Sequence, residues 1–208
     1  MTNEHVSMAS HEKSMRLILA SSSPQRQKIL TEAGFQFEQR VPEVDETQGI
    51  CSGCGPAELV SSLALRKAAD VVRRLPEADH AVSVVLGCDT VAECGGEILG
   101  KPHDRDHARR MLSRLSGQPH RVYSGLCLWP LATGIPKTEV AITHLQMDSL
   151  SEDALGDYLE TDLWQGKAGA FGYQDGPDWL HITEGSVSNV IGLPLELLDK
   201  MLVEVSPA

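Results

Sequence analysis

The chain has 208 residues, of which 41% are hydrophobic and 23% charged, a composition typical of a globular protein with a hydrophobic core. Its net charge of −11 argues against nonspecific binding to nucleic acid, because the phosphate backbone would be repelled. No stretch reaches the roughly 20 apolar residues that a membrane helix needs, so no association with a membrane is expected.

The first 15 residues are polar and lack the apolar run of a signal peptide. We therefore expect a flexible N-terminal extension over residues 1–15, followed by a single domain over residues 16–208. The five cysteines are an odd number without a secretory signal, which indicates reduced thiols and a cytoplasmic protein. Cys51 and Cys54 form the one pair at ligand spacing, and we interpret them as loop residues rather than a metal or redox site.

The predicted elements alternate between strands and helices along the chain. The first half contains a strand at 17–20, a helix at 24–33, a strand at 35–41, a helix from residue 56, a strand at 82–88 and a hairpin at 91–99. The second half contains a helix at 104–115, strands at 121–129 and 139–147, a helix at 151–160, a glycine-rich loop at 166–172, a strand at 179–183 and a helix at 194–203. This order predicts an α/β fold with a mixed sheet.

Three consecutive serines, Ser21, Ser22 and Ser23, separate the first strand from the first helix. The first N–H groups of a helix have no partner within the helix, and together with the helix dipole and small hydroxyl side chains they suit a phosphate group. Arg26 in the first helical turn could form a forked contact with phosphate oxygens. The same pattern also fits a simple helix cap, so it does not by itself decide between the two interpretations.

Isolated charged residues follow predicted strands and hairpins farther along the chain. Lys67 lies beside the apolar face of the long helix, Asp89 follows an apolar strand, and Lys101 follows the hairpin. Each has an ordinary structural explanation as a snorkelling lysine, a turn cap or a solvated loop residue. Together they indicate cations for a phosphate group beside a carboxylate for a metal ion or a water molecule.

The order of motifs along residues 17–202 resembles the Maf family of nucleoside triphosphate pyrophosphatases. The matching segments are Leu-Ala-Ser-x-Ser-Pro-x-Arg, Val-Asp-Glu, Leu-Ala-x-x-Lys-Ala, Asp-Thr-Val, Gly-Lys-Pro, Leu-Ser-Gly-x-x-His-x-Val, Lys-Ala-Gly-Ala-Phe-Gly and Asn-Val-Ile-Gly-Leu-Pro. The resemblance implies hydrolysis of a nucleoside triphosphate to a monophosphate and pyrophosphate. The family is associated with housecleaning of nucleotide pools and with septum formation, and division arrest is a further expected link.

The resemblance also implies roles for individual residues. The residues expected to bind the triphosphate are Ser21, Arg26, Lys67 and Lys101. Glu46 is expected to help hold the metal or the phosphates. Asp89 is expected to accept the proton of the attacking water and, with Glu46, to hold a divalent cation, Mg²⁺ or Mn²⁺. By the same resemblance the domain has the two-lobed fold of inosine triphosphate pyrophosphatases, with a central cleft, and a homodimer is one expectation.

Three positions bear on the choice of nucleobase. Thr90 and Gln174 match the branch of the family that prefers dTTP and UTP rather than the 7-methyl-GTP branch. Gln25 departs from the two arginines usual in the dTTP and UTP branch, and an amide cannot supply the charge of a guanidinium. The sequence therefore leaves the preferred base open.

Two other classes of function compete with this enzyme. A non-catalytic nucleotide-sensing regulator of septum formation would need the cations but no general base, so the carboxylates disfavour it. A serine hydrolase is disfavoured because the chain has no Gly-x-Ser-x-Gly nucleophile elbow.

Overall fold

The computed structural model of the protein describes residues 15–46, 53–79 and 82–205. The strands within those ranges are β1 Arg16–Ala20, β2 Phe37–Arg40, β3 Ser83–Cys94, β4 Glu97–Leu99, β5 Pro119–Pro130, β6 Lys137–Met147 and β7 Leu180–Glu184. The α-helices are α1 Pro24–Glu32, α2 Pro56–Arg74, α3 Arg105–Leu115, α4 Glu152–Glu160, α5 Val187–Ile191 and α6 Leu195–Val205.

The described strands form one mixed sheet in the order β2-β1-β3-β5-β6-β7, and β4 pairs with β3 outside that path. β1 is parallel to both β2 and β3, whereas β3, β5, β6 and β7 are joined in antiparallel pairs. The predicted α/β fold with a mixed sheet is confirmed. Strand β3 lies at the centre, where the parallel part of the sheet meets the antiparallel part.

Strand β3 differs from the prediction. The sequence predicted a strand that ends before Asp89 and a separate hairpin, but β3 runs without a break from Ser83 to Cys94. The polar pair Asp89 and Thr90 looked like a strand end. Both residues instead lie inside the strand because their side chains have partners there, Lys67 for Asp89 and Ser124 for Thr90. The turn at Gly95 and Gly96 leads into β4 as expected.

Helix α1 begins as the sequence predicts. Ser23 is its N-cap and accepts a hydrogen bond from the backbone N–H of Arg26, and Pro24 occupies the first turn. Two features near the C-terminus were not predicted correctly. The short helix α5 was missed, and α6 extends two residues beyond the predicted end, to Val205.

Hydrophobic side chains pack on both faces of the sheet. On one face, α2 lies over β3 and β5, with Ala64 and Ala68 in contact with the strands. The approach is close because Gly87 and Gly125 have no side chains: a Cβ at Gly125 would lie 2.5 Å from the carbonyl carbon of Val60. The other face is covered in two parts, by α1 and α6 near β1 and by α3 and α4 near β6.

Cys88, Cys94 and Cys127 are buried free thiols. Burial raises the pKa of Cys127 to about 12, which keeps this thiol protonated and unreactive. The predicted loop pair includes Cys51, which lies outside the described residues, as does the predicted extension apart from Met15. None of the described helices combines the length and the apolar character needed to cross a membrane.

Candidate active site

A cavity of about 350 Å³ opens where the start of α1, the middle of β3 and the loop before β7 meet. The sequence-predicted residues that line it are Gln25, Arg26, Asp89, Thr90, Lys101 and Gln174. These positions are up to 149 residues apart in the chain, from Gln25 to Gln174, and the fold brings them to one hollow.

Arg26 is the most strongly fixed of the lining residues. Its side chain is buried, and three of its nitrogen atoms donate to protein oxygens: Nε to the Gly192 carbonyl at 2.8 Å, Nη1 to Ser21 Oγ at 3.2 Å and Nη2 to Thr90 Oγ1 at 3.1 Å. A guanidinium has five N–H groups, so each terminal nitrogen keeps one N–H beyond these three bonds. Arg26 is therefore held rigidly and can still offer a two-pronged contact to an anion.

Lys67 is buried on the side of β3 that faces α2. Its Nζ lies 2.5 Å from Asp89 Oδ1 and 2.7 Å from Glu46 Oε1. A buried ammonium needs such partners because the loss of hydration would otherwise be very costly. Asp89 is buried as well, whereas about half of the Glu46 side chain is exposed. The two carboxylates thus converge on a single cationic point beside the cavity.

The field around Glu46 is positive. Burial by itself raises the pKa of Glu46. The hydrogen bond and charge of Lys67 and the charges of Lys101 and Arg26 lower it by a larger amount, so the net pKa lies below its usual value. The carboxylate is consequently ionised at neutral pH. The same observation places Lys101 and Arg26 close enough to act on one carboxylate.

The cavity is positively charged within a strongly acidic protein. Arg26 and Lys101 line it against one carboxylate, Asp89, and the third lining cation, Lys167, is paired with Asp175. Because charges beyond about 8–10 Å are largely screened, this local set outweighs the net charge of the whole chain. The expected combination of cations beside a carboxylate therefore exists at the cavity.

Strand β3 supplies side chains to both of its faces at the cavity. Asp89 points toward α2 and contacts Lys67, and the next residue, Thr90, points the other way. Thr90 Oγ1 accepts from Arg26 and lies 2.8 Å from Ser124 Oγ. Of these two neighbouring residues, Asp89 supplies the carboxylate of the site and Thr90 holds the Arg26 guanidinium.

The remaining sequence-predicted residues lie behind the lining. Ser21 is buried, and its Oγ accepts hydrogen bonds from Arg26 Nη1 and from the backbone N–H of Ser23. Ser22 and Ser23, rather than Ser21, face the cavity. Lys67 reaches the cavity through Asp89, and Glu46 reaches it through Lys67. The structure therefore brings all nine predicted positions together, but in two layers.

Two groups at the cavity are not among the predicted site residues. The Gly192 carbonyl holds Arg26 and also accepts from Thr90 Oγ1 at 3.3 Å. Lys167 lines the cavity from the glycine-rich loop. Gly192 belongs to a motif quoted for the family resemblance, but a backbone carbonyl leaves no signature in residue identity.

Glu46 and Asp89 are the residues that could hold a metal ion. Within the described ranges no group of three or more histidine, cysteine, aspartate or glutamate side chains could do so by itself. Two convergent carboxylates nevertheless fit Mg²⁺ or Mn²⁺, since these ions take oxygen ligands and usually complete their shell with substrate phosphate and water.

The segment that carries Glu46 is held against α2 by hydrogen bonds to its backbone. Asp70 accepts from the Glu43 N–H at 2.9 Å, Arg74 donates to the Val41 carbonyl at 2.7 Å, and Arg66 donates to the Asp45 carbonyl at 2.8 Å. Burial by itself raises the pKa of Asp70. The hydrogen bond from the Glu43 N–H and the charges of Arg74 and Arg73 lower it by a larger amount, so the net pKa is below the usual value.

Asp70→Asn should lower the free energy of unfolding by about 1–2 kcal/mol at pH 7, because charge-assisted hydrogen bonds to partly exposed arginines are lost. A depressed pKa contributes stability that is fully present above the unfolded value of about 4 and is lost as the pH falls through the folded value. Urea unfolding between pH 7 and pH 3 should therefore show a difference between wild type and variant that shrinks below about pH 4.

The exposed carboxylate of Asp148 provides the control for that experiment, since its partner is the exposed His181. Asp148→Asn should change the free energy of unfolding by less than about 0.5 kcal/mol at every pH. The depressed pKa of Asp70 would be contradicted if the difference in free energy of unfolding between wild type and Asp70→Asn stayed constant down to pH 3.

Comparisons with known proteins find relatives that match most of the chain. A model of the family described as Maf-like protein matches residues 16–205. The dTTP/UTP pyrophosphatase of Rhodopirellula baltica is 48% identical over 187 residues, which cover 89% of this chain and 80% of that protein. The dTTP/UTP pyrophosphatase of Symbiobacterium thermophilum is 42% identical over 194 residues, which cover 91% of this chain and 93% of that protein.

One solved structure is similar over most of its length. The Staphylococcus aureus Ham1 protein superimposes with a TM-score of 0.51 at 11% identity, and the match covers 92% of this chain and 100% of that one. At this identity the likeness bears on the fold alone.

Proposed function

This chain belongs to the Maf family, and on that premise we propose that it is a nucleoside triphosphate pyrophosphatase that prefers pyrimidine nucleotides. It would cleave the bond between the α- and β-phosphates and release a nucleoside monophosphate and pyrophosphate. The observation that carries the proposal is the cavity in which Arg26 and Lys101 face the same space as the Asp89 carboxylate. Cations bind the polyanion there, and the carboxylate supplies a base.

The cations address the main obstacle to the reaction, the negative charge that repels an attacking water. Arg26 is already fixed by Gly192, Ser21 and Thr90, so little reorganisation is needed when it contacts a phosphate. Lys101 enters from the segment after β4 and adds a second charge. The backbone N–H of Gln25 in the first turn of α1 and the hydroxyl of Ser22 would provide neutral donors to the same anion, since Pro24 has no N–H and the Arg26 N–H is capped by Ser23.

Asp89 is proposed as the general base. Its Oδ1 is held by Lys67 at 2.5 Å, which fixes the orientation of the carboxylate. Oδ2, the other oxygen, would accept the proton of the attacking water. Glu46 and Asp89 would hold a Mg²⁺ or Mn²⁺ ion, which when bound offsets phosphate charge and polarises the phosphoryl oxygen.

The choice of base is proposed to depend on Gln25, Thr90 and Gln174. The Oε1 atom of Gln25 accepts from Ser23 Oγ at 3.1 Å, which leaves the amide nitrogen as the end of the side chain that would donate to a base. Gln174 lines the opposite part of the cavity with a second amide. Thr90 acts through Arg26, whose position it fixes. The relatives named dTTP/UTP pyrophosphatase support a preference for pyrimidines.

Purified protein should release pyrophosphate and nucleoside monophosphate in equal amounts from dTTP or UTP when Mg²⁺ or Mn²⁺ is present. A panel that also includes CTP, pseudo-UTP, 5-methyl-UTP and 7-methyl-GTP would rank the bases and test a housecleaning role against modified nucleotides. Release of inorganic phosphate alone would refute cleavage at the α–β bond. Binding without any turnover would instead support a nucleotide-sensing regulator.

A further inference from the structure

One wall of the cavity consists of the loop over residues 165–176, which contains two short 3₁₀ turns, Ala168–Ala170 and Tyr173–Asp175. Gln165, Lys167, Phe171 and Gln174 all line the cavity from this loop. The proposed mechanism uses two other cations of the lining, Arg26 and Lys101. What holds this wall in place, and what Lys167 does, is not explained by that mechanism.

An ion pair closes the loop on itself. Lys167 Nζ contacts Asp175 Oδ2, and the two side chains are only 13% and 15% exposed. At this degree of burial an ion pair depends on its geometry, and loss of one partner leaves a poorly solvated charge. The pair joins the first 3₁₀ turn to the second, so it fixes the residues between them.

The rest of the loop is built around this pair. Gly172 lies directly beneath it, and a Cβ at this position would approach within 2.9 Å of Asp175 Cγ. The backbone N–H of Gly172 donates to the hydroxyl of Tyr158 at 3.1 Å. Burial, with a contribution from the charge of Asp175, raises the pKa of Tyr158 to about 12, so this hydroxyl remains protonated. A second bond, from the Gly169 N–H to the Gly100 carbonyl at 3.0 Å, ties the loop to the residue before Lys101.

Gln174 is the residue that this arrangement controls. It precedes Asp175 directly and has no charge with which to fix itself, yet its side chain faces the cavity. We propose that the Lys167–Asp175 ion pair is a positioning device that holds Gln174 against the nucleobase and thereby sets base discrimination. The proposal rests on the proposed function of the cavity as a nucleotide site.

The alternative role for Lys167 is a direct phosphate contact. Asp175 argues against it, because its carboxylate neutralises the ammonium at close range. An anion would have to compete with that carboxylate for Lys167, whereas no carboxylate forms a salt bridge with Arg26 or Lys101 among the described residues. The pair is therefore suited to shaping the wall and not to attracting the triphosphate.

The test compares wild type with Lys167→Met, Asp175→Asn and the double variant in binding experiments. The probes are the non-hydrolysable α,β-methylene analogues of dTTP and GTP, and inorganic tripolyphosphate as a ligand without a base. Calorimetry gives the dissociation constant of each, so the readout does not depend on turnover.

If the pair positions Gln174, each single variant should reduce the dTTP-to-GTP affinity ratio by about tenfold, the equivalent of one lost, well-placed hydrogen-bonded contact. The double variant should lose no more than either single variant, since both remove the same interaction. Gln174→Ala should lose the same discrimination. Affinity for tripolyphosphate should stay unchanged in Gln174→Ala and in the double variant, because both keep the net charge of the wall. Lys200→Met, which breaks the exposed pair with Glu139, serves as the matched control and should leave every constant unchanged.

Two results would overturn the inference. An unchanged affinity ratio in both single variants would show that the pair does not act on the base. Weaker tripolyphosphate binding in the double variant, in which no unpaired charge is left behind, would make Lys167 a phosphate ligand. Absence of pyrophosphate release by the wild type would refute the proposed enzyme function alone, because the affinity ratio is measured without hydrolysis.

Discussion

Asp89→Asn is expected to reduce turnover by about 10²–10⁴-fold, the usual contribution of a general base, while nucleotide affinity changes little. Asparagine has nearly the same shape as aspartate, so the cavity keeps its form, but the amide cannot accept the proton of the attacking water. Lys67 also keeps an oxygen partner at this position. Steady-state kinetics of pyrophosphate release, combined with calorimetric binding, measures the two effects separately.

Glu93 offers a matched control on the same strand. It is buried, lies four residues after Asp89 in β3 and is paired with a cation, Arg121, at 2.7 Å, but it does not line the cavity. Glu93→Gln should lower stability by about 1–3 kcal/mol and leave turnover per folded molecule unchanged. Normal turnover in Asp89→Asn would show that another group accepts the proton.

Gly125→Ala is expected to lower the free energy of unfolding by about 3 kcal/mol, at the upper end of the usual cost of overpacking. The added Cβ would lie 2.5 Å from the Val60 carbonyl carbon and 2.8 Å from the Ser61 nitrogen. These are backbone atoms of α2, so they cannot move aside as a flexible side chain would. The helix must shift as a unit, and Lys67 would move away from Asp89 with it. Chemical unfolding and pyrophosphate release should therefore both reveal the change.

Gly156→Ala is the same type of substitution but is expected to stabilise the protein instead of destabilising it. Gly156 lies within α4, and a Cβ there would meet no atom within 4 Å. Alanine should raise the free energy of unfolding by about 0.5–1 kcal/mol through its better helix propensity. Equal effects of the two substitutions would show that the close approach of α2 to β5 is not what Gly125 permits.

Local signals were sufficient to predict most of the fold. Ser23 and Pro24 mark the start of α1, and Gly95 with Gly96 marks the turn into β4, because each of these residues has a distinct backbone or capping preference. The prediction was wrong where local polarity misled it. Asp89 and Thr90 resemble a strand end, but partners distant in sequence satisfy both of them inside β3. Helix α5 is only five residues long, too short for a periodic pattern.

The candidate site was predicted as a set of residues but not as an arrangement. Charged residues in glycine- or proline-marked settings, together with the family resemblance, supplied the candidate residues. That Lys67 bridges two carboxylates, and that Ser21 supports Arg26 from behind, depends on how α2 and α1 pack on the sheet. Such contacts join residues far apart in the chain, and nothing in the local pattern specifies them.

The opposite orientations of Asp89 and Thr90 limit how this part of the chain can change in length. Insertion or deletion of one residue in β3 ahead of them would turn each side chain to the other face of the sheet. The carboxylate would then lose Lys67, and Arg26 would lose the hydroxyl that supports it. Length changes are far better tolerated at residues 132–135, an exposed connection between β5 and β6 that is remote from the cavity lining. Homologues that retain the activity should therefore differ in length at that connection and keep the residue count of β3.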